Sequence, residues 1–114
     1  MKTSELTGAA LDWAVAKCEG NDGVWYASDK DPVDFTPSTN WAHGGEIIER
    51  EWLDVTPWPN ESDEDRRWQC VQYDTHGYVS SFGFTPLVAA MRCYVASQLG
   101  DEIELPEELT DEDV

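Results

Sequence analysis

The chain has 114 residues, with 24 Asp and Glu against 7 Lys and Arg, for a formal net charge of -17. That length holds one core and not two, and so negative a surface disfavours direct binding to nucleic-acid backbones or anionic membranes. Six Trp and a hydrophobic fraction of 40% exclude a wholly disordered acidic chain, and no apolar run approaches the roughly 18 residues of a membrane span.

The chain opens on MKTSELTGAALDWAVAKCEG, which has acidic residues inside its apolar part and no signal-peptide layout. Thr7 is placed to cap a helix, with its hydroxyl accepting an N–H of the first turn. Leu6 and Leu11 have the spacing of a hydrophobic staple. Ala10, Leu11, Ala14, Val15 and Cys18 share one helical face, and Gly20 supplies a stop. Residues 8–19 therefore predict an amphipathic helix with Asp12, Lys17 and Glu19 toward water and Trp13 to the side of the stripe. Short β-type runs follow at Val24–Ala27, Glu46–Leu53, Trp68–Tyr73 and Tyr78–Phe82. The last two are joined across Asp74-Thr75-His76-Gly77 as a hairpin. Residues 57–65 read as a polar loop. Thr85 then caps a second helix, with Pro86 at its first position and Gly100 after its end. Leu87, Ala90, Met91, Tyr94, Val95 and Leu99 follow 3–4 spacing, and Arg92 is the only formal charge between Pro86 and Gly100. So apolar a helix implies burial on more than one side.

These elements predict one α+β domain over residues 1–100: a small antiparallel sheet of about four strands packed with an N-terminal and a C-terminal helix. Residues 101–114, DEIELPEELTDEDV, hold eight acids and no base, almost half of the excess charge. They read as an acidic tail whose first part docks through Ile103, Leu105 and Leu109 and whose end is mobile. The tail is also read as a nucleic-acid mimic for a basic groove.

Cys18, Cys70 and Cys93 are an odd set without close spacing and read as reduced, buried thiols. With His43 and His76 the only histidines, no zinc-type cluster is legible, and no metal or cofactor is expected.

Two stretches carry a family resemblance: Thr39-Asn40-Trp41-Ala42-His43-Gly44-Gly45-Glu46-Ile47-Ile48-Glu49-Arg50-Glu51 and Gly83-Phe84-Thr85-Pro86-Leu87-Val88-Ala89-Ala90-Met91-Arg92-Cys93-Tyr94-Val95-Ala96-Ser97. With Lys2–Leu6 and Ala10–Ala16, they resemble the phage NinX family of small proteins from tailed phages and prophages. Residues 54–82 match least. The resemblance implies a phage-encoded protein made in the host bacterial cytoplasm. It brings no activity to transfer residue by residue.

The residues suggest a binder and not an enzyme. Neither histidine has a nearby Ser or Cys in a nucleophile motif, and acid pairs such as Glu49 and Glu51 arise by chance among 24 acids. Ser38, Thr39 and Asn40 offer neutral donors, and Trp41 offers a face for stacking a base. Gly44 and Gly45 would let a backbone approach a ligand. The bland alternative is an ordered loop with a buried Trp and a tight turn. Thr85, at the start of the second helix, reads as an anion site or as ordinary capping. Arg92 reads as a phosphate partner or as the counter-charge of Glu46, Glu49 or Glu51. Together these eight residues predict a pocket for a small nucleotide-type ligand, cyclic or derived from ADP-ribose, captured to blunt a host defence signal. The alternative is an acidic, protein-binding inhibitor or nucleic-acid mimic of a host defence or recombination protein. A replication or recombination accessory role is the third reading. Six Trp are more aromatic surface than a small core hides, which points to a homo-oligomer.

Overall fold

The computed structural model describes residues 2–19, 36–58, 66–74 and 77–104. Helix α3, Pro86–Leu99, is the element on which the others pack. The Thr85 hydroxyl accepts the Val88 N–H at 3.1 Å and Pro86 opens the first turn, as the sequence predicts. Every residue from Leu87 to Val95 is buried, so the helix is covered on several sides. Gly100 ends it with φ 90, its N–H on the Ala96 carbonyl.

Helix α1, Gly8–Cys18, lies against α3. Ala10, Leu11, Ala14 and Val15 enter the common core, and Leu6 and Leu11 are both fully enclosed. Thr7 has the extended backbone of a cap, but its hydroxyl takes no helix N–H. Asp12 does not simply face water: its carboxylate accepts the Ser38 N–H at 2.9 Å. Gly20 and the expected strand at 24–27 lie outside the described residues.

The sheet is antiparallel in the order β1-β2-β3, with β1 Asp54–Pro57, β2 Trp68–Asp74 and β3 Gly77–Gly83. Its register pairs Val55 with Cys70, Cys70 with Ser81, Tyr73 with Tyr78 and Asp74 with Gly77. Cys70, Val79, Ser81 and Gly83 share the face toward α3. Gly83 lets the helix come close, since a Cβ there would lie 2.4 Å from the Ala89 nitrogen. Cys93 of α3 donates from Sγ to the Val79 carbonyl at 3.4 Å.

Two expectations are corrected. Residues 46–53 are not a strand: they belong mostly to helix α2, Trp41–Glu51. The Asn40 side chain caps this helix by accepting the Ala42 N–H at 2.8 Å, and Trp52 ends it in the left-handed region at φ 55. Ile47 and Gly44 are its buried positions, three apart as a helix requires. The sheet accordingly has three strands among the described residues, not about four. One of them, β1, falls where the sequence reads as the approach to a polar loop.

The first residues of the acidic segment are tied to the body. The Asp101 carbonyl accepts the Thr3 N–H at 2.8 Å and the Thr3 hydroxyl at 3.2 Å. Lys2 and Glu102 form an antiparallel bridge, and Ile103 packs against the core. No helix among the described residues is long and apolar enough to cross a membrane.

Candidate functional site

The turn before α2 is held by its own backbone and by α1. The Thr36 carbonyl accepts the N–H groups of Thr39 and Asn40 at 3.1 and 2.8 Å, and the Thr36 N–H donates to His43 Nδ1 at 3.0 Å. Ser38 is buried with its N–H on Asp12. Burial pushes the Asp12 carboxyl above its ordinary value, while the Ser38 amide and hydroxyl and the charge of His43 oppose that shift.

The two glycines sit inside α2 and do not form a hinge. The Gly44 N–H donates to the Asn40 carbonyl at 2.9 Å. A Cβ at Gly44 would lie 2.4 Å from the Pro37 oxygen and 2.6 Å from Leu87 Cδ2. Gly44 therefore serves the close approach of α2 to the turn and to the first turn of α3. This contact does bring the Ser38–Gly45 stretch beside the start of α3, where Thr85 caps its own helix. A Cβ at Gly45 would lie 3.6 Å from Trp41 Cε3, so the indole lies along α2 above Gly45. Trp41 is 58% exposed, and Thr39 and Asn40 beside it are exposed too.

Arg92 is elsewhere. It is 2% exposed, and it donates from Nε to the Leu6 carbonyl and from Nη1 to the Phe82 carbonyl, each at 2.8 Å. Its guanidinium closes the gap between the N-terminal segment and β3.

Sequence reasoning missed two groupings. Glu19 just past the end of α1, Arg50 of α2 and Tyr94 of α3 come together. Arg50 grips both Glu19 oxygens, at 2.6 and 3.0 Å, and the Tyr94 hydroxyl also donates to Glu19. Burial raises the Glu19 carboxyl, but the bonds from Arg50 and Tyr94 outweigh it and the net shift is downward. Burial and Glu19 push the Tyr94 hydroxyl up. No local sequence signal links these three residues.

The second grouping is the sheet face turned away from α3. Tyr73 and Tyr78 face each other across the hairpin, ring centroids 6.2 Å apart, each 67% exposed. On the same face Trp58 meets Phe82 edge-on at 5.6 Å, and the Arg66 guanidinium lies 4.7 Å from the Phe82 ring. The hairpin register, once known, places Tyr73, Tyr78 and Phe82 on this face.

The α+β arrangement is similar to that of a phage protein from Bacillus cereus ATCC 14579, solved as a 2.0 Å crystal structure. The likeness covers 91% of this chain and 93% of that one, with a TM-score of 0.55 and 14% sequence identity. At that identity it speaks to the fold alone. No curated protein matches the chain. The family model described as NinX of bacteriophage P22 matches residues 2–98, nearly the whole described fold, and the chain belongs to this phage family.

Proposed function

We propose that this NinX-family protein is a non-enzymatic accessory factor that works by binding a basic-surfaced protein. The observation that carries the reading is the outer sheet face, where Tyr73 and Tyr78 stand exposed beside the Trp58–Phe82–Arg66 stack. Trp, Tyr and Arg are the residue types that anchor protein interfaces. A net charge of -17 steers a basic partner toward this surface and opposes self-association. The test is co-purification from phage-infected host cells of wild type and of the Tyr73→Ala/Tyr78→Ala double variant. A stoichiometric basic protein held by wild type, released by the double variant and weakened by salt supports the reading. Partners retained equally by both refute it.

A second reading keeps a small nucleotide-type ligand on Trp41, and it is favoured by the 58% exposure of that indole beside Thr39 and Asn40. The inward use of the Gly44 N–H and of Arg92 leaves phosphate fewer donors than the residue types suggest. Calorimetry with cyclic and ADP-ribose-type nucleotides tests it. Tight binding abolished by Trp41→Ala supports it, and absence of heat with every nucleotide removes it.

A further inference from the structure

Among the described residues, strand β3 is an edge of the sheet. Along an antiparallel strand, main-chain groups turn alternately toward the neighbour and away from it. The Phe82 carbonyl bonds to Arg92, so Phe82 is turned away from β2. By alternation the N–H and C=O of Ser80 and Tyr78 are turned outward too. Arg92 links that outer edge to the Leu6 carbonyl, so the N-terminal segment runs beside β3 without pairing to it. At Phe82 and Leu6 the guanidinium fills the space that another strand would occupy. Two residues further along, no described residue does: a cavity of about 390 Å³ opens there. It is lined by Val79, Ser80 and Ser81 of β3, by Ala96 of α3, by Lys2, Thr3 and Ser4, and by the acidic pair Asp101 and Glu102.

Consecutive strand side chains point to opposite faces. A cavity lined by three in succession therefore looks onto the strand's edge. Three residues of strand span about 10 Å at roughly 3.3 Å each. Lys2, Asp101 and Glu102 are in no ion pair among the described residues, which leaves the lining with one more acid than base.

We infer that this slot is a docking site for an extended, Lys- or Arg-bearing peptide segment that adds to the β3 edge through the Ser80 main chain. The inference rests on the protein-binding reading above and gives it a second, main-chain contact. Strand addition supplies affinity through backbone bonds and specificity through alternate side chains. Here the specificity is for positive charge at the Asp101–Glu102 pair.

The probe is the peptide acetyl-Val-Lys-Val-Lys-Val-amide, titrated into the full chain by calorimetry and by amide NMR. The expected result is saturable binding, with the Ser80 resonance among the most shifted. N-methylation of the central peptide bonds, or exchange of both Lys for Glu, weakens it at least tenfold. Ser80→Pro removes the outward N–H at an edge position where proline is tolerated. Its fold, checked by circular dichroism, survives while peptide affinity falls at least tenfold. Asp101→Asn with Glu102→Gln leaves the edge intact and weakens the Lys peptide several-fold at low salt. No binding, or equal binding of the N-methylated peptide, overturns the inference. The co-purification that depends on Tyr73 and Tyr78 is scored separately, so the slot can fail while the aromatic face stands, and the reverse.

Discussion

Gly44 and Gly45 are neighbours in one helix, yet substituting each by alanine should move stability in opposite directions. Alanine is favoured over glycine in a helix interior by about 0.5–1 kcal/mol. At position 45 the added methyl meets the Trp41 ring at 3.6 Å, an ordinary contact, so Gly45→Ala should keep that gain. At position 44 the methyl would lie 2.4 Å from the Pro37 oxygen and 2.6 Å from Leu87 Cδ2. Leu87 can rotate, but the Pro37 carbonyl cannot retreat easily. The turn is pinned on one side by the Thr36 carbonyl bonds and on the other by Ser38 on Asp12. Overpacking of this kind costs typically 1–3 kcal/mol. Set against the helix gain, the net loss for Gly44→Ala is up to about 2.5 kcal/mol. For a chain of this size 1 kcal/mol is roughly 4 °C in Tm. Thermal and urea unfolding should show Gly45→Ala raised by up to about 4 °C and Gly44→Ala lowered by up to about 10 °C. A Gly44→Ala protein stabilised as much as Gly45→Ala would refute the close approach of α2 to Pro37, and with it the placement of Trp41.

Glu19→Gln should cost on the order of 1 kcal/mol at pH 7, because it removes the charge that Arg50 and Tyr94 hold between three helices. Since the folded carboxyl sits below its ordinary value of 4.5, its contribution is present above that pH and fades as pH falls through the folded value. Urea melts of wild type and variant should converge as the pH is lowered well below 4.5, and a gap unchanged by acid would contradict the assignment. The Cys18 thiol, pushed up to about 12 by burial and by Glu19, should alkylate far more slowly with iodoacetamide at pH 8 in the folded protein than in urea, as mass spectrometry would read. Equal rates would show the thiol to be open. Arg92→Met should orphan the Leu6 and Phe82 carbonyls and lower stability by about 2–4 kcal/mol in urea melts, whereas a neutral outcome would mean that water replaces the guanidinium.

The parts of the fold legible in the sequence are those where a local signal and the tertiary need agree. Thr85-Pro86 marks the start of α3 because cap and first turn are fixed by adjacent residues. The β2–β3 hairpin is readable because its alternation and its turn lie within one stretch. Helix α2 was hidden because Gly44-Gly45 reads as a turn and Ile47-Ile48 as a strand. What decides between helix and strand is the Asn40 cap together with a partner 43 residues away, Leu87, that demands a missing side chain at position 44. Strand β1 has only four residues and ends on Pro57, and it exists through pairing with β2. The site was harder for the same reason. Thr85, Arg92 and the Gly44 backbone are the kinds of group that bind anions, and the sequence displays them as such. The fold uses their bonding capacity first, on Val88, on Leu6 and Phe82, and on Asn40. A buried donor must be satisfied internally before it can serve a ligand. The groups the fold does not use are the exposed rings of Trp41, Tyr73 and Tyr78 and the outward main chain of Ser80, and on these the proposed binding rests.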